Sequence, residues 1–216
     1  MENPVQVEFP ALEGELDGTG RRFAIVVARF NAFITERLLQ SACDGLLRSG
    51  ARREGIEIIR VPGAFEIPSA ARTLALTKKY DAVICLGCLL RGDTAHYDVI
   101  VNEVTRGIGQ SAQETGVPHA FGVLTCENLE QAIDRAGLKM GNKGFEAALA
   151  AVEMANLTSA VRLSASGFRK TSVGRRSLRQ AQGVPADGEQ QIPPSRSASR
   201  RNGNAAKKAS KNKRRK

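Results

Sequence analysis

The sequence predicts an α/β protein, a three-layer αβα sandwich on a four-stranded parallel sheet. Two observations predict it. Four short runs, 23–28, 56–61, 82–86 and 120–124, are largely apolar and rich in Val and Ile, as strands covered on both faces must be. Segments with apolar residues at helical spacing separate them, and such alternation gives a parallel sheet with right-handed crossovers.

The elements follow in order. The run Phe23-Ala24-Ile25-Val26-Val27-Ala28 is a buried strand. Asn31 is placed to cap a helix over 34–47, in which Ile34, Leu38, Leu39, Ala42 and Leu46 recur at helical intervals and which Gly50 closes. After the second strand, Pro62-Gly63 turns the chain into a helix over 67–80. The third strand leads into a loop over 87–96 and a helix over 97–114. The fourth precedes helices over 127–135 and 143–157. An N-terminal run over 5–9 reads as an edge strand able to pair with a neighbouring subunit.

Charge divides the chain. Residues 1–160 hold 16 Lys and Arg against 20 acids, net −4; residues 161–216 hold 16 against two, net +14, and together they make the +10 of the 216-residue chain. The first part, 1–158, is the expected domain, and 159–216 a basic extension. With one aromatic, Phe168, and few large aliphatics, the extension buries too little to offset its ordering entropy and is expected to be disordered. The extension reads either as a contact for nucleic acid or another polyanion or as a solubilising segment with no dedicated partner. No run approaches 18 apolar residues, which excludes a helical membrane span, and the acidic start, Met1-Glu2-Asn3-Pro4, is not a signal peptide. Four Cys make no disulfide framework in a chain this long, so a cytoplasmic setting is expected.

In open α/β sheets, ligands sit outside the carboxyl ends of the strands. Those ends carry Phe30 and Asn31, then Gly63, Ala64, Phe65 and Glu66, then 87–96, then Thr125 and Cys126. Phe30 and Phe65 read either as core residues or as a stacking platform for a flat heterocycle. Glu66 reads either as a helix cap or as a ligand-orienting group. His96, in a polar loop, reads either as an incidental loop residue or as a proton-transfer group, whereas His119 starts a strand at the opposite end of the sheet. The Gly92-Asp93-Thr94 turn at a helix entrance can offer N–H groups to an anion, and Arg135 and Lys143 can pair with phosphate or be ordinary surface charge. Cys85 and Cys88 have Cys-x-x-Cys spacing but no second ligand pair, so neither a metal nor a redox site is expected.

Five motifs stand together in order: Phe30-Asn31; Pro62-Gly63-Ala64-Phe65-Glu66-Ile67-Pro68; Arg91-Gly92-Asp93-Thr94-Ala95-His96-Tyr97-Asp98; Phe121-Gly122-Val123-Leu124-Thr125; and Gly141-Asn142-Lys143-Gly144. Over 12–158 the chain resembles the 6,7-dimethyl-8-ribityllumazine synthases of riboflavin biosynthesis, with Glu153-Met154-Ala155-Asn156-Leu157 similar to that family's closing helix. The resemblance implies a condensation of 5-amino-6-ribitylamino-uracil with 3,4-dihydroxy-2-butanone 4-phosphate. The products are 6,7-dimethyl-8-ribityllumazine, phosphate and water. It implies no metal and no redox cofactor.

Residue by residue, the resemblance implies that Phe30 stacks on the pyrimidine. Ala64, Phe65 and Glu66 hold the ribityl chain and ring edge, and Gly87, Cys88 and Leu89 line the ring pocket. Gly92, Asp93 and Thr94 form the phosphate turn, and Arg135 pairs with the phosphate. His96 transfers protons, while Phe121 and Lys143 arrive from a neighbouring subunit. It also implies a homopentamer, with the short 136–143 connection favouring an icosahedral 60-subunit shell, and possible association with riboflavin synthase. Cys88 stands where a small residue or Thr is usual, which suggests thiol sensitivity. Two other readings compete with this one. A flavodoxin-like FMN carrier shares the sheet, but Arg29-Phe30-Asn31 does not resemble a phosphate loop. A structural shell or nucleic-acid-binding particle that uses the basic tail would be expected to have lost pocket residues, yet Phe30, Glu66, His96, Arg135 and Lys143 are all present.

Overall fold

The computed structural model describes residues 11–139 and 141–177. The proposed edge strand over 5–9 and the extension beyond 177 lie outside the described residues. Four strands, β1 (Phe23–Ala28), β2 (Ile56–Val61), β3 (Ala82–Leu90) and β4 (His119–Cys126), form a parallel sheet in the order β2-β1-β3-β4. The helices are α1 (Ala32–Arg48), α2 (Ile67–Leu76), α3 (His96–Thr115), α4 (Leu129–Arg135) and α5 (Lys143–Ser177).

Alternation along each strand builds the three layers. Phe23, Ile25 and Val27 of β1 join Ile84 and Leu86 of β3 against Ile34, Leu38 and Leu46 of α1 and Ala148 and Val152 of α5. Their neighbours Ala24, Val26 and Ala28 join Val83 and Cys85 on the opposite face, against Ile67 and Ala71 of α2 and Val104 and Ile108 of α3. Every residue of β1 is buried, which is why its sequence is apolar throughout.

The motif Gly141-Asn142-Lys143-Gly144 has a local structural cause. Asn142 caps α5, its side-chain oxygen accepting from the Gly144 N–H at 2.8 Å, and its amide donates to the Ala136 carbonyl at 2.7 Å. At Gly144, α5 meets the backbone of α1. A Cβ built there would lie 2.7 Å from the Leu38 carbonyl carbon and closer still to its oxygen.

The structure departs from the expected elements at several places. Helix α2 stops at Leu76 rather than 80, because Lys78 takes a left-handed conformation (φ 56°) and turns the chain. Strand β3 continues to Leu90, so Gly87, Cys88 and Leu89 are strand residues paired with β4, not loop residues. Asn31 occupies the position before α1 but does not cap it with its side chain; the amide instead donates to the Cys88 carbonyl at 2.8 Å. Helix α5 extends twenty residues past the expected end at 157. No helix among the described residues is long and apolar enough to cross a membrane.

His119 is half-buried at the start of β4, with its ring nitrogens 2.9 Å from Ser111 Oγ and 2.8 Å from the Val117 carbonyl. Burial holds it below its ordinary value of 6.5, so the folded chain keeps the ring neutral where the unfolded chain protonates it. The stability this contributes is present above about pH 6.5 and is lost as pH falls from there through the lower folded value. The melting temperature is expected to drop between pH 7 and about 5.5 more steeply in wild type than in His119→Gln. Parallel slopes in the two proteins would show that His119 titrates normally when folded.

Candidate active site

The exits of β1, β2 and β3 and the start of α3 surround one cleft of about 460 Å³. Two backbone bonds fix its floor. The Arg29 N–H donates to the Val61 carbonyl at 2.8 Å and the Phe30 N–H to the Pro62 carbonyl at 3.0 Å, tying the β1 exit to the β2 exit. The Asn31 amide ties it to β3 on the other side.

Phe30, Ala64, Phe65, Cys88, Leu89, Gly92, Thr94 and His96, expected from sequence, all line this cleft. Phe30 is 70% exposed and Phe65 56%, so neither is a core residue of this subunit. Large aromatic faces left open at a cleft suit a planar heterocycle. Ala64, Phe65 and Glu66 form a single 3-10 turn, and Glu66 Oε2 accepts from the Gly63 N–H at 2.9 Å. That contact holds the carboxylate beside Gly63, itself part of the wall. His96 is exposed and opens α3, directly after the 92–95 turn. A 20-residue helix presents a partial positive charge there, which favours an anion beside Gly92 and Thr94.

Three expected residues of this group, Glu66, Gly87 and Asp93, stand outside the cleft lining. Gly87 is buried in β3, where an added Cβ would meet Ile67 Cδ1 at 3.0 Å and Val123 at 3.3 Å; the glycine permits close packing. Asp93 is exposed in the turn between two lining residues. Asn31, Gly63, Leu90, Tyr97 and Ile100 line the cleft beyond the expected set. Ile100 stands four residues after His96, a spacing that marks the same helix face.

Phe121, Arg135 and Lys143 lie in a second cleft of about 220 Å³, on β4 and the adjoining ends of α4 and α5. The lining residues of the two clefts do not overlap. Arg135 therefore groups with Phe121 and Lys143 rather than with the 92–94 turn. Its Nη1 donates to the Gln131 carbonyl at 3.3 Å, and Lys143 pairs with Glu146. Phe121 is 45% exposed although it lies within a strand.

The thiols are not poised for reaction. Burial pushes Cys85 and Cys88 up to about 12, which leaves both protonated near neutrality and counts against thiol sensitivity at Cys88. Cys85 packs with α2 and α3, Cys88 with α1 and α5, so the Cys-x-x-Cys spacing divides them between opposite faces of the sheet. Among the described residues, no three His, Cys, Asp or Glu side chains gather as a metal set.

The profile of the 6,7-dimethyl-8-ribityllumazine synthase family matches residues 20–159. A 6,7-dimethyl-8-ribityllumazine synthase of Desulfotalea psychrophila is 58% identical over 150 residues, covering 69% of this chain and 97% of that protein. One of Chlorobium phaeobacteroides is 56% identical over 151 residues, covering 70% of this chain and 97% of its own. Identity at this level over nearly the whole of each relative, with the expected motif residues gathered at two clefts, places the chain in the 6,7-dimethyl-8-ribityllumazine synthase family.

Proposed function

We propose that the chain condenses 5-amino-6-ribitylamino-uracil with 3,4-dihydroxy-2-butanone 4-phosphate to give 6,7-dimethyl-8-ribityllumazine, phosphate and water. The observation that carries the reading is the first cleft. It sets two exposed aromatic rings, an anion-favouring helix entrance and a histidine around one space, on a chain of this family.

The roles follow from chemistry. Phe30 stacks on the pyrimidine, and Ala64, Phe65 and Glu66 hold the ring edge and ribityl hydroxyls, with the β3 segment 87–89 as the wall behind. The turn of Gly92, Asp93 and Thr94 receives the phosphate. His96 moves protons during imine formation and phosphate loss. An amine and a ketone already react with each other, so much of the rate comes from holding them together. His96→Ala therefore slows the reaction without abolishing it.

Arg135, Phe121 and Lys143 complete the same site from a neighbouring copy. A small isolated subunit that exposes Phe30, Phe33, Phe121 and Leu138 has apolar surface suited to an interface. A ring follows when the second cleft of each subunit meets the first cleft of the next. We infer a homopentamer, with the short 136–143 connection favouring closure into a 60-subunit shell, in the cytoplasm. A riboflavin synthase is a candidate consumer of its product. The +14 extension, outside the matched residues 20–159, is the candidate contact for nucleic acid or another polyanion.

A mixing experiment tests the shared site. His96→Ala and Arg135→Ala damage opposite halves of it. Dissociated and reassembled at equal ratio, they should recover about a quarter of wild-type activity, since one interface in four then pairs two intact halves. Activity equal to the mean of the two parents would place the whole site within one subunit. No product from assembled wild type would sink the enzymatic reading.

A further inference from the structure

We propose that Arg91 is a positioning residue, a clamp on the turn that presents the anion-binding backbone and His96. This rests on the reading of the first cleft as the substrate site. Arg91 is the first residue past β3, and its N–H donates to the Cys126 carbonyl at 2.9 Å, carrying the β3–β4 ladder one step further. Its side chain then reaches two other elements. Nη1 and Nη2 donate to the two carboxylate oxygens of Asp98 at 3.0 and 2.9 Å, and Nε stands 2.7 Å from Glu127 Oε2. The guanidinium carbon lies 4.3 Å from the centroid of the Tyr97 ring, which walls the cleft.

Tyr97 and Asp98 follow His96 in the first turn of α3, while Glu127 follows β4. The Arg91–Asp98 fork thus closes a staple across 92–97, the segment that holds Gly92, Thr94 and His96. Residues 92–96 are all exposed, so burial cannot order them. A planar guanidinium can serve both carboxylates and the ring at once; an ammonium cannot. Solvent-exposed pairs add little to global stability, so the clamp acts on local order rather than on the fold.

The alternative role for Arg91 is direct contact with the phosphate, and the carboxylates distinguish the two. The test compares full-length wild type with Arg91→Gln, Arg91→Lys, Asp98→Asn and Glu127→Gln. It uses steady-state kinetics on both substrates and amide hydrogen exchange across 92–97. Arg91→Gln is expected to raise KM for the butanone phosphate about tenfold and lower kcat severalfold, leaving KM for the pyrimidine within about twofold. Exchange across 92–97 should accelerate about tenfold while the melting temperature stays within about 2 °C. Asp98→Asn should move the same quantities the same way, and Arg91→Lys should resemble Arg91→Gln more than wild type. A raised phosphate KM in Arg91→Gln with an unchanged or lowered one in Asp98→Asn would make Arg91 a phosphate ligand and overturn the clamp. Unchanged exchange across 92–97 in Arg91→Gln would also overturn it. Should that variant fail to fold, the two carboxylate variants carry the same comparison. Exchange needs no substrate, so an inactive wild type would refute the substrate-site reading while the clamp is still decided.

Discussion

Replacing Arg135 by alanine is expected to lower kcat/KM for the butanone phosphate by about 10²–10³-fold. A guanidinium facing a phosphate dianion makes charge-assisted hydrogen bonds, each contributing roughly 1.5–3 kcal/mol, and two of them at the lower end of that span account for the loss. Within its own subunit the residue has little structural work: it ends α4, and one nitrogen reaches the Gln131 carbonyl at 3.3 Å. A cation at a helix C-terminus contributes only about 0.3–1 kcal/mol, so stability should barely change. The loss should appear against the phosphate substrate far more than against the pyrimidine, and Arg135→Lys should recover part of it. Steady-state kinetics with each substrate varied in turn decides the matter. A kcat/KM within threefold of wild type would remove Arg135 from the phosphate site.

Gly144→Ala should destabilise the fold by about 3 kcal/mol or more. Helix propensity alone argues the reverse, since alanine inside a helix is favoured over glycine by about 1 kcal/mol. Packing outweighs it. The new methyl would stand 2.7 Å from the Leu38 carbonyl carbon, against backbone in the middle of α1 rather than a side chain that can swing away. To make room, α1 and α5 must separate, opening the layer in which Leu38, Ala147, Ala148 and Val152 are packed. Lys143→Ala, one residue earlier, is the control. Urea unfolding of both variants measures the difference, and an unchanged midpoint in Gly144→Ala would show that the two helices slide apart at no cost.

These two residues mark different limits of the sequence. Gly144 sits in a motif whose helix-start character was readable, but the reason for glycine was not. The reason is a backbone approach between segments more than a hundred residues apart. Arg135 was expected as a phosphate partner by resemblance alone, and its grouping with Phe121 and Lys143 emerged only when β4, α4 and α5 were folded around one edge. Asn31 was expected to cap α1 because its type and place suit a cap; the nearby Cys88 carbonyl took its amide instead. Phe30 and Phe65 could not be settled from periodicity, because one aromatic at a strand end looks the same whether it faces the core or a cleft.

The amino-acid sequence by itself determined the strands, the parallel sheet and the strand ends that come to line the first cleft. Those depend on local alternation and on which short runs are apolar, and β1 and β2 have the bounds their sequences predict. Tertiary structure alone decided what lies beside what. It separated the expected site residues into two clefts, put Cys85 and Cys88 on opposite faces, and brought Arg91, Asp98 and Glu127 together. The physical reason is range. Patterning acts over a few residues, whereas a cleft or an ion-pair cluster is assembled from chain ends that meet only after the layers have packed.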